Sequence, residues 1–227
     1  MVTKVVCVGA HPDDVEIGMG GTVASLVRQG VDVVIVDLTD GEPTPHGTRE
    51  TRLAEAAEAA RMLGCRRVTL DLPNRYLLDS VDARTALAEV LRAERPEVLF
   101  APYPEDAHPD HSAAASIAEA ARFYAKLTKT KMSGEPHYPA RLYRYMAVHL
   151  RLVREPSFIV DIIEDLDTKL EALRAYTSQF GDNPANEGVI AHVERAARFW
   201  GDVGRIEAGE PFFCLEPPSV SSVFDLR

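Results

Sequence analysis

The hydrophobic pattern changes period several times along this chain, and each change marks an element. Lys4 to Gly9 (KVVCVG) is a short apolar, β-branched run, as expected for a strand buried on both faces. Gly18 to Gly30 follows a helical period, with Val23, Leu26 and Val27 on one side. Val31 to Leu38 (VDVVIVDL) predicts a second strand, closed by the turn chemistry of Thr39-Asp40-Gly41-Glu42-Pro43. Thr48 to Leu63 is rich in Ala, Glu, Arg and Leu and predicts a helix that Gly64 ends. Arg67 to Leu72 predicts a third strand, Asp79 to Ala93 a third helix, Glu97 to Ala101 a fourth strand and about Asp110 to Lys126 a fourth helix. Strand and helix alternating at this rhythm imply βαβ units, a Rossmann-like α/β fold of three layers and a mostly parallel sheet.

The second half is less regular. Thr128 to Pro139 reads as a loop. Arg141 to Val148 and Ser157 to Ile162 read as strands, Asp165 to Gln179 and Val189 to Trp200 as helices. The tail from Gly209 carries Phe212, Phe213, Cys214 and Leu215, then Pro217-Pro218. No repeat, low-complexity segment or linker divides the chain, so one domain over residues 1–227 is expected.

Composition narrows the function classes. The 227 residues are 46% apolar, enough for a sizeable core, and carry a formal charge of −10. That charge gives no electrostatic case for nucleic acid or an anionic membrane. Cys7, Cys65 and Cys214 are odd in number and form no CxxC pair, which points to a reducing compartment. The first apolar run is too short for a signal segment or a membrane span, so a cytoplasmic protein is expected.

Two clusters carry the chemistry. His11-Pro12-Asp13-Asp14 follows the first strand, and His108-Pro109-Asp110-His111 follows the fourth. Ligands of open α/β sheets bind beyond the carboxyl ends of the strands, where strand order reverses. In an order 3-2-1-4-5, strands one and four are neighbours, so the clusters would face each other. Two His and one Asp make the three-ligand set of a catalytic zinc site, with a position open for water. The remaining carboxylate and His would serve as base and electrophile, and Asp13 and Asp14 can exchange roles on sequence grounds alone. A dinucleotide loop is excluded: Gly9 to Asp14 does not fit G-x-G-x-x-G, and two Asp would repel a pyrophosphate. Arg52 reads as a solvated helix charge, and Cys7 as an inert core thiol. His46, His137, His149 and His192 are isolated and read as loop or surface residues, with His192 able to reach the cleft from a neighbouring element.

Ala10 to Gly18 (AHPDDVEIG) with His108 to His111 resembles the LmbE-like, or PIG-L, family of zinc-dependent N-acetylglucosaminyl deacetylases. Supporting stretches are Val36 to Glu42, Gly47 to Ala54, Leu99 to His111, Leu173 to Phe180 and the ending Phe224-Asp225-Leu226. Within the family the chain looks closest to the bacillithiol-biosynthesis deacetylases. The resemblance implies that His11, Asp14 and His111 bind Zn²⁺ and that Asp13 is the general base. It implies that His108 stabilises or protonates the tetrahedral centre, that Asp110 holds the His108 imidazole, and that Arg52 contacts substrate hydroxyls. Two positions depart from relatives: Asp106 stands where some carry Tyr, and Asp40 where close relatives often have Arg. The implied substrate is N-acetylglucosaminyl-malate, with another amino sugar or small amide as the alternative; a metal-bound sugar-binding protein without turnover is a reading of another class. A homo-oligomer, a hexamer, is also implied. Phe212, Phe213, Leu215 and Trp200 give that modest support, unless the tail folds onto its own core.

Overall fold

The computed structural model describes residues 3–146, 149–150, 152–220 and 222. Strand and helix alternate through β1 (Lys4–Gly9), α1 (Asp14–Arg28), β2 (Asp32–Asp37), α2 (Arg49–Leu63), β3 (Arg66–Thr69), α3 (Val81–Glu94), β4 (Val98–Pro102) and α4 (Pro109–Ala125). Then come β5 (Arg141–Tyr145), β6 (Phe158–Asp161), α5 (Leu166–Arg174), α6 (Val189–Gly204) and β7 (Gly209–Phe213). They form one sheet of order β3-β2-β1-β4-β5-β7-β6. The first five strands pair in parallel, and β7 pairs antiparallel with both β5 and β6.

The alternation of side chains along β1 explains the three layers. Val6 and Val8 face a cluster with Leu87 and Leu91 of α3 and Ile117 and Ala121 of α4. Val5 and Cys7 face the other way, against Val15 and Val23 of α1 and Ala59 and Leu63 of α2. Both faces of β1 are therefore covered, as the unbroken apolar run implies. From β1 the chain winds outward to β2 and β3 in one direction and to β4 and β5 in the other. The switch point lies between β1 and β4, where the two His-Pro-Asp clusters emerge.

Besides shifts such as β3 ending at Thr69 rather than Leu72 and α3 starting at Val81 rather than Asp79, four differences from expectation matter for the fold. First, α1 starts at Asp14 rather than Gly18, because the HPDD segment itself turns into the helix. It is also broken at Met19 (φ −152°), and Gly18 sits so close to Tyr145 that a Cβ would lie 2.4 Å from its ring. Second, α5 ends at Arg174 and a π-type turn follows over Thr177–Gly181, where a helix to Gln179 was expected. Third, α6 continues past Trp200 to Gly204. Fourth, the tail is a strand: β7 inserts between β5 and β6, burying Phe212 and Phe213 in the sheet. Trp200 is buried too, and only Leu215 of that apolar set stays exposed. Among the described residues, no helix is long and apolar enough to cross a membrane. The expected extension of β5 to Val148 and the Phe224-Asp225-Leu226 ending fall on residues outside those described.

Candidate active site

The loop after β1 is folded back on itself by its own acid. Asp14 Oδ2 accepts the backbone N–H groups of Ala10 and His11, both at 2.9 Å. Asp13 caps α1 in the left-handed region at φ 102°, a conformation that L side chains rarely adopt and that clusters at functional sites. On the other side of the switch point, His108 caps α4, with Pro109 in its first turn as the spacing implies. The imidazoles of His108 and His111 stack with ring centres 4.9 Å apart. His11 meets them from β1, with centres 4.7 Å from His108 and 5.3 Å from His111.

The two clusters therefore meet. Side-chain nitrogens of His11, His108 and His111 lie within 4.8 Å of one another. Asp14 joins them: its Oδ1 lies 3.1 Å from His111 Nε2 and its Oδ2 3.5 Å from His11 Nδ1. A buried carboxylate among three imidazoles is a donor set that suits a zinc-like divalent ion.

The charges follow from burial and pairing. Burial pushes His11 down, but Asp110 and Asp14 outweigh it and raise it to about 9. Burial likewise lowers His111, and Asp14 with Asp106 carries it up to about 10. Asp14, opposed by burial, is held well below the carboxylate range by His111 and His11. This carboxylate thus draws positive charge to its two imidazole partners, a role that a cation between them would fill. Burial lifts Asp13 to about 6 against the pull of Arg52. His108 is lowered by burial and by the two neighbouring imidazoles.

Asp110 is placed differently from expectation. Its carboxylate faces His11, with Oδ2 3.2 Å from Nε2, and accepts the N–H groups of Arg75 and Leu77. It is the backbone N–H of Asp110, not its side chain, that donates to His108 Nδ1, at 3.2 Å. The physical reason is the helix start: the residue two past the cap presents its N–H to the cap side chain, and the carboxylate swings to the loop after β3.

Arg52 is buried on α2. Its Nη2 donates to Pro12 O at 2.6 Å and to Asp13 Oδ2 at 3.1 Å. Its Nε and Nη1 find no acceptor among the described residues, although both are buried. The side chain lines a cavity of about 680 Å³ together with His11, Asp13, His108 and His111. Asp40, the other departure, forms an ion pair with Arg49, which also binds Asp71 at the surface.

His149 is an exposed loop residue after β5, as expected, yet it also lines the cavity: its ring stacks 5.6 Å from that of His108 and lies tilted 5.2 Å from that of His111. His192 reaches the cavity from α6. His137 instead pairs with the Pro96 carbonyl.

Comparison with known proteins places this geometry. The family model "PIG-L: GlcNAc-PI de-N-acetylase" matches residues 6–122, just over half of the chain. The diacetylchitobiose deacetylase of Thermococcus kodakarensis is 33% identical over 198 residues, covering 80% of this chain and 72% of that protein. A probable N-acetyl-α-D-glucosaminyl L-malate deacetylase 2 of Bacillus cereus is 28% identical over 203 residues, covering 79% and 84%. The crystal structure of the conserved protein TT1542 from Thermus thermophilus superposes with a TM-score of 0.89 at 38% identity, covering 98% of this chain and 99% of that one. With both His-Pro-Asp clusters converging at the switch point of this sheet, the chain belongs to the PIG-L, or LmbE-like, family and is an N-deacetylase.

Proposed function

We propose that the protein removes the acetyl group of an N-acetylglucosamine conjugate with a zinc ion held by His11, Asp14 and His111. The convergence of these three side chains from two distant segments carries the reading. Zinc bound there supplies positive charge that polarises the amide carbonyl and acidifies water. Asp13 takes the proton of the attacking water and passes it to the leaving nitrogen. Arg52 holds Asp13 through Nη2 and, as a side chain that lines the cavity, contacts sugar hydroxyls there. His108 accepts the Asp110 N–H on Nδ1, so its neutral form carries the proton on Nε2 and donates from there. That favours a role for His108 in holding the developing oxyanion over one as a proton source.

For the substrate we favour N-acetylglucosaminyl-malate, the bacillithiol reading, supported by the likeness to the Bacillus cereus protein. An anionic aglycone needs a cation. Arg49 is committed to Asp40 and Asp71, whereas Arg75 and Arg195 line the cavity. The second reading, diacetylchitobiose, is favoured by the Thermococcus relative, and a cavity of about 680 Å³ leaves room for a second sugar. Acetate release by zinc-loaded protein, measured on both compounds and on free N-acetylglucosamine, separates them. The malate conjugate should exceed free N-acetylglucosamine in kcat/KM by at least ~10-fold, the worth of one charged contact. Equal values would remove the malate reading and leave the deacetylase.

We further propose that residues 1–227 act as one domain, in the cytoplasm, within a homo-oligomer. Light scattering reads the assembly, with a hexameric mass expected. A monomeric mass at micromolar concentration would remove the oligomer.

A further inference from the structure

We infer that Asp106 is a positioning residue for the metal centre: it fixes which nitrogen His111 presents, as Asp110 does for His11. The inference rests on the metal reading of the site.

The loop between β4 and α4 buries the Asp106 side chain to 1% exposure, and its Oδ2 lies 2.7 Å from His111 Nδ1. Its other oxygen accepts the His108 N–H at 3.3 Å. An ionised carboxylate only accepts, so His111 must hold its proton on Nδ1. The lone pair of a neutral His111 is then on Nε2, the nitrogen 3.1 Å from Asp14 Oδ1. His11 is fixed in the opposite sense. Its Nε2 faces Asp110 at 3.2 Å, and its Nδ1 faces Asp14 at 3.5 Å. The two imidazoles thus offer different nitrogens to one carboxylate, and each has its own acid on the far nitrogen. A carboxylate on the far nitrogen fixes tautomer and ring orientation and raises the basicity of the donor nitrogen.

Asp106 is not placed to act on substrate. It stands across the His111 ring from Asp14, which lines the cavity. Its effect passes through His111.

The test is the affinity of metal-free protein for Zn²⁺, measured by competition with a chromophoric chelator. Asp106→Ala should weaken binding by about 10–100-fold. Asp106→Asn should recover part of this, because its amide oxygen still accepts from Nδ1. Turnover at saturating Zn²⁺ should stay within a few-fold of wild type in both variants, with the melting temperature of the metal-free protein little changed. An Asp106→Ala affinity within about twofold of wild type overturns the inference. So does an equal loss in both variants that tracks a lower metal-free melting temperature, which marks a purely structural tie. If His111→Ala loses Zn²⁺ while Asp106→Ala does not, the metal reading stands and this inference falls. Wild-type protein that binds no Zn²⁺ overturns both.

Discussion

Arg52 Nη2 stands 3.1 Å from Asp13 Oδ2, which joins the first turns of α2 to the cap of α1. The same nitrogen donates to Pro12 O, so one guanidinium holds both the backbone and the side chain of the HPDD turn. The Asp13 conformation at φ 102° costs energy that these contacts offset. Asp13→Asn should keep the metal and the fold and lower kcat by ~10²–10⁴-fold, as loss of a general base does. Near-wild-type turnover would take Asp13 out of the mechanism. Arg52→Ala should lower kcat, since it releases Asp13, and also raise KM, since the side chain lines the cavity.

Another acid, the buried Glu210, supports the fold further along α1. Where that helix breaks at Met19, the N–H groups of Gly21 and Thr22 turn to the carboxylate of Glu210 on β7, at 3.0 and 2.7 Å. The Thr22 hydroxyl also donates to Glu210, and Lys169 of α5 completes the shell. Glu210→Ala would strand the buried Lys169 charge and those two N–H groups. The expected cost is ~3–5 kcal/mol, the range for removing one partner of a buried pair. Glu210→Gln should cost less because it still accepts from the backbone. Urea unfolding measures both, and a loss below about 1 kcal/mol for the Ala variant would contradict the assignment.

These two acids show what the sequence made legible. The apolar runs of β1, β2 and β4 declare strands covered on both faces; the order 3-2-1-4-5, assumed from the general topology of such sheets, then brings His11 to His111. The β7 segment, Gly-Glu-Pro-Phe-Phe, did not read as a strand, because Glu210 and Pro211 break the apolar pattern. Only Lys169 and the broken helix, contributed by distant segments, make that glutamate tolerable inside a sheet. Asp110 was assigned to the wrong imidazole for a similar reason: its nearest His in sequence is His108, whereas the loop after β3 aims its carboxylate at His11. Side-chain partners set by tertiary approach leave no local signal.

Thiol chemistry gives a prediction independent of catalysis. Cys7 is fully buried in β1, and burial drives its pKa well above the usual thiol range. Burial, aided by Glu16, pushes the Cys65 thiol up to about 12. At pH 8 its thiolate fraction is then roughly one part in ten thousand, and the thiolate is the reactive form. Cys65 and Cys214, the latter just after β7, are both half-buried, so it is the scarcity of its thiolate rather than access that slows Cys65. Native protein should show one fast-reacting thiol with Ellman's reagent, and three after denaturation. Loss of the fast phase in Cys65→Ser, with Cys214→Ser unaffected, would contradict this ordering.

The edge of the sheet predicts an acid-dependent loss of stability. Arg66 bonds both Asp32 and Glu94, and Lys4 reaches the same two acids. Hydrogen bonds from Arg66 first, then from Lys4, hold both carboxylates below their ordinary values against the opposing effect of burial. A carboxylate whose folded pKa is depressed stabilises the fold above its unfolded pKa, ~4. That contribution disappears as pH falls through the folded value. The groups are partly exposed, so solvent and salt screen them, and the double variant Asp32→Asn/Glu94→Gln should lose only ~0.2–1 kcal/mol per pair at pH 7. Urea midpoints of the variant and the wild type should converge as the pH is lowered below the folded values, and should also approach each other in high salt. A difference that stays constant from neutral to acid pH would show that packing, rather than charge, holds this edge.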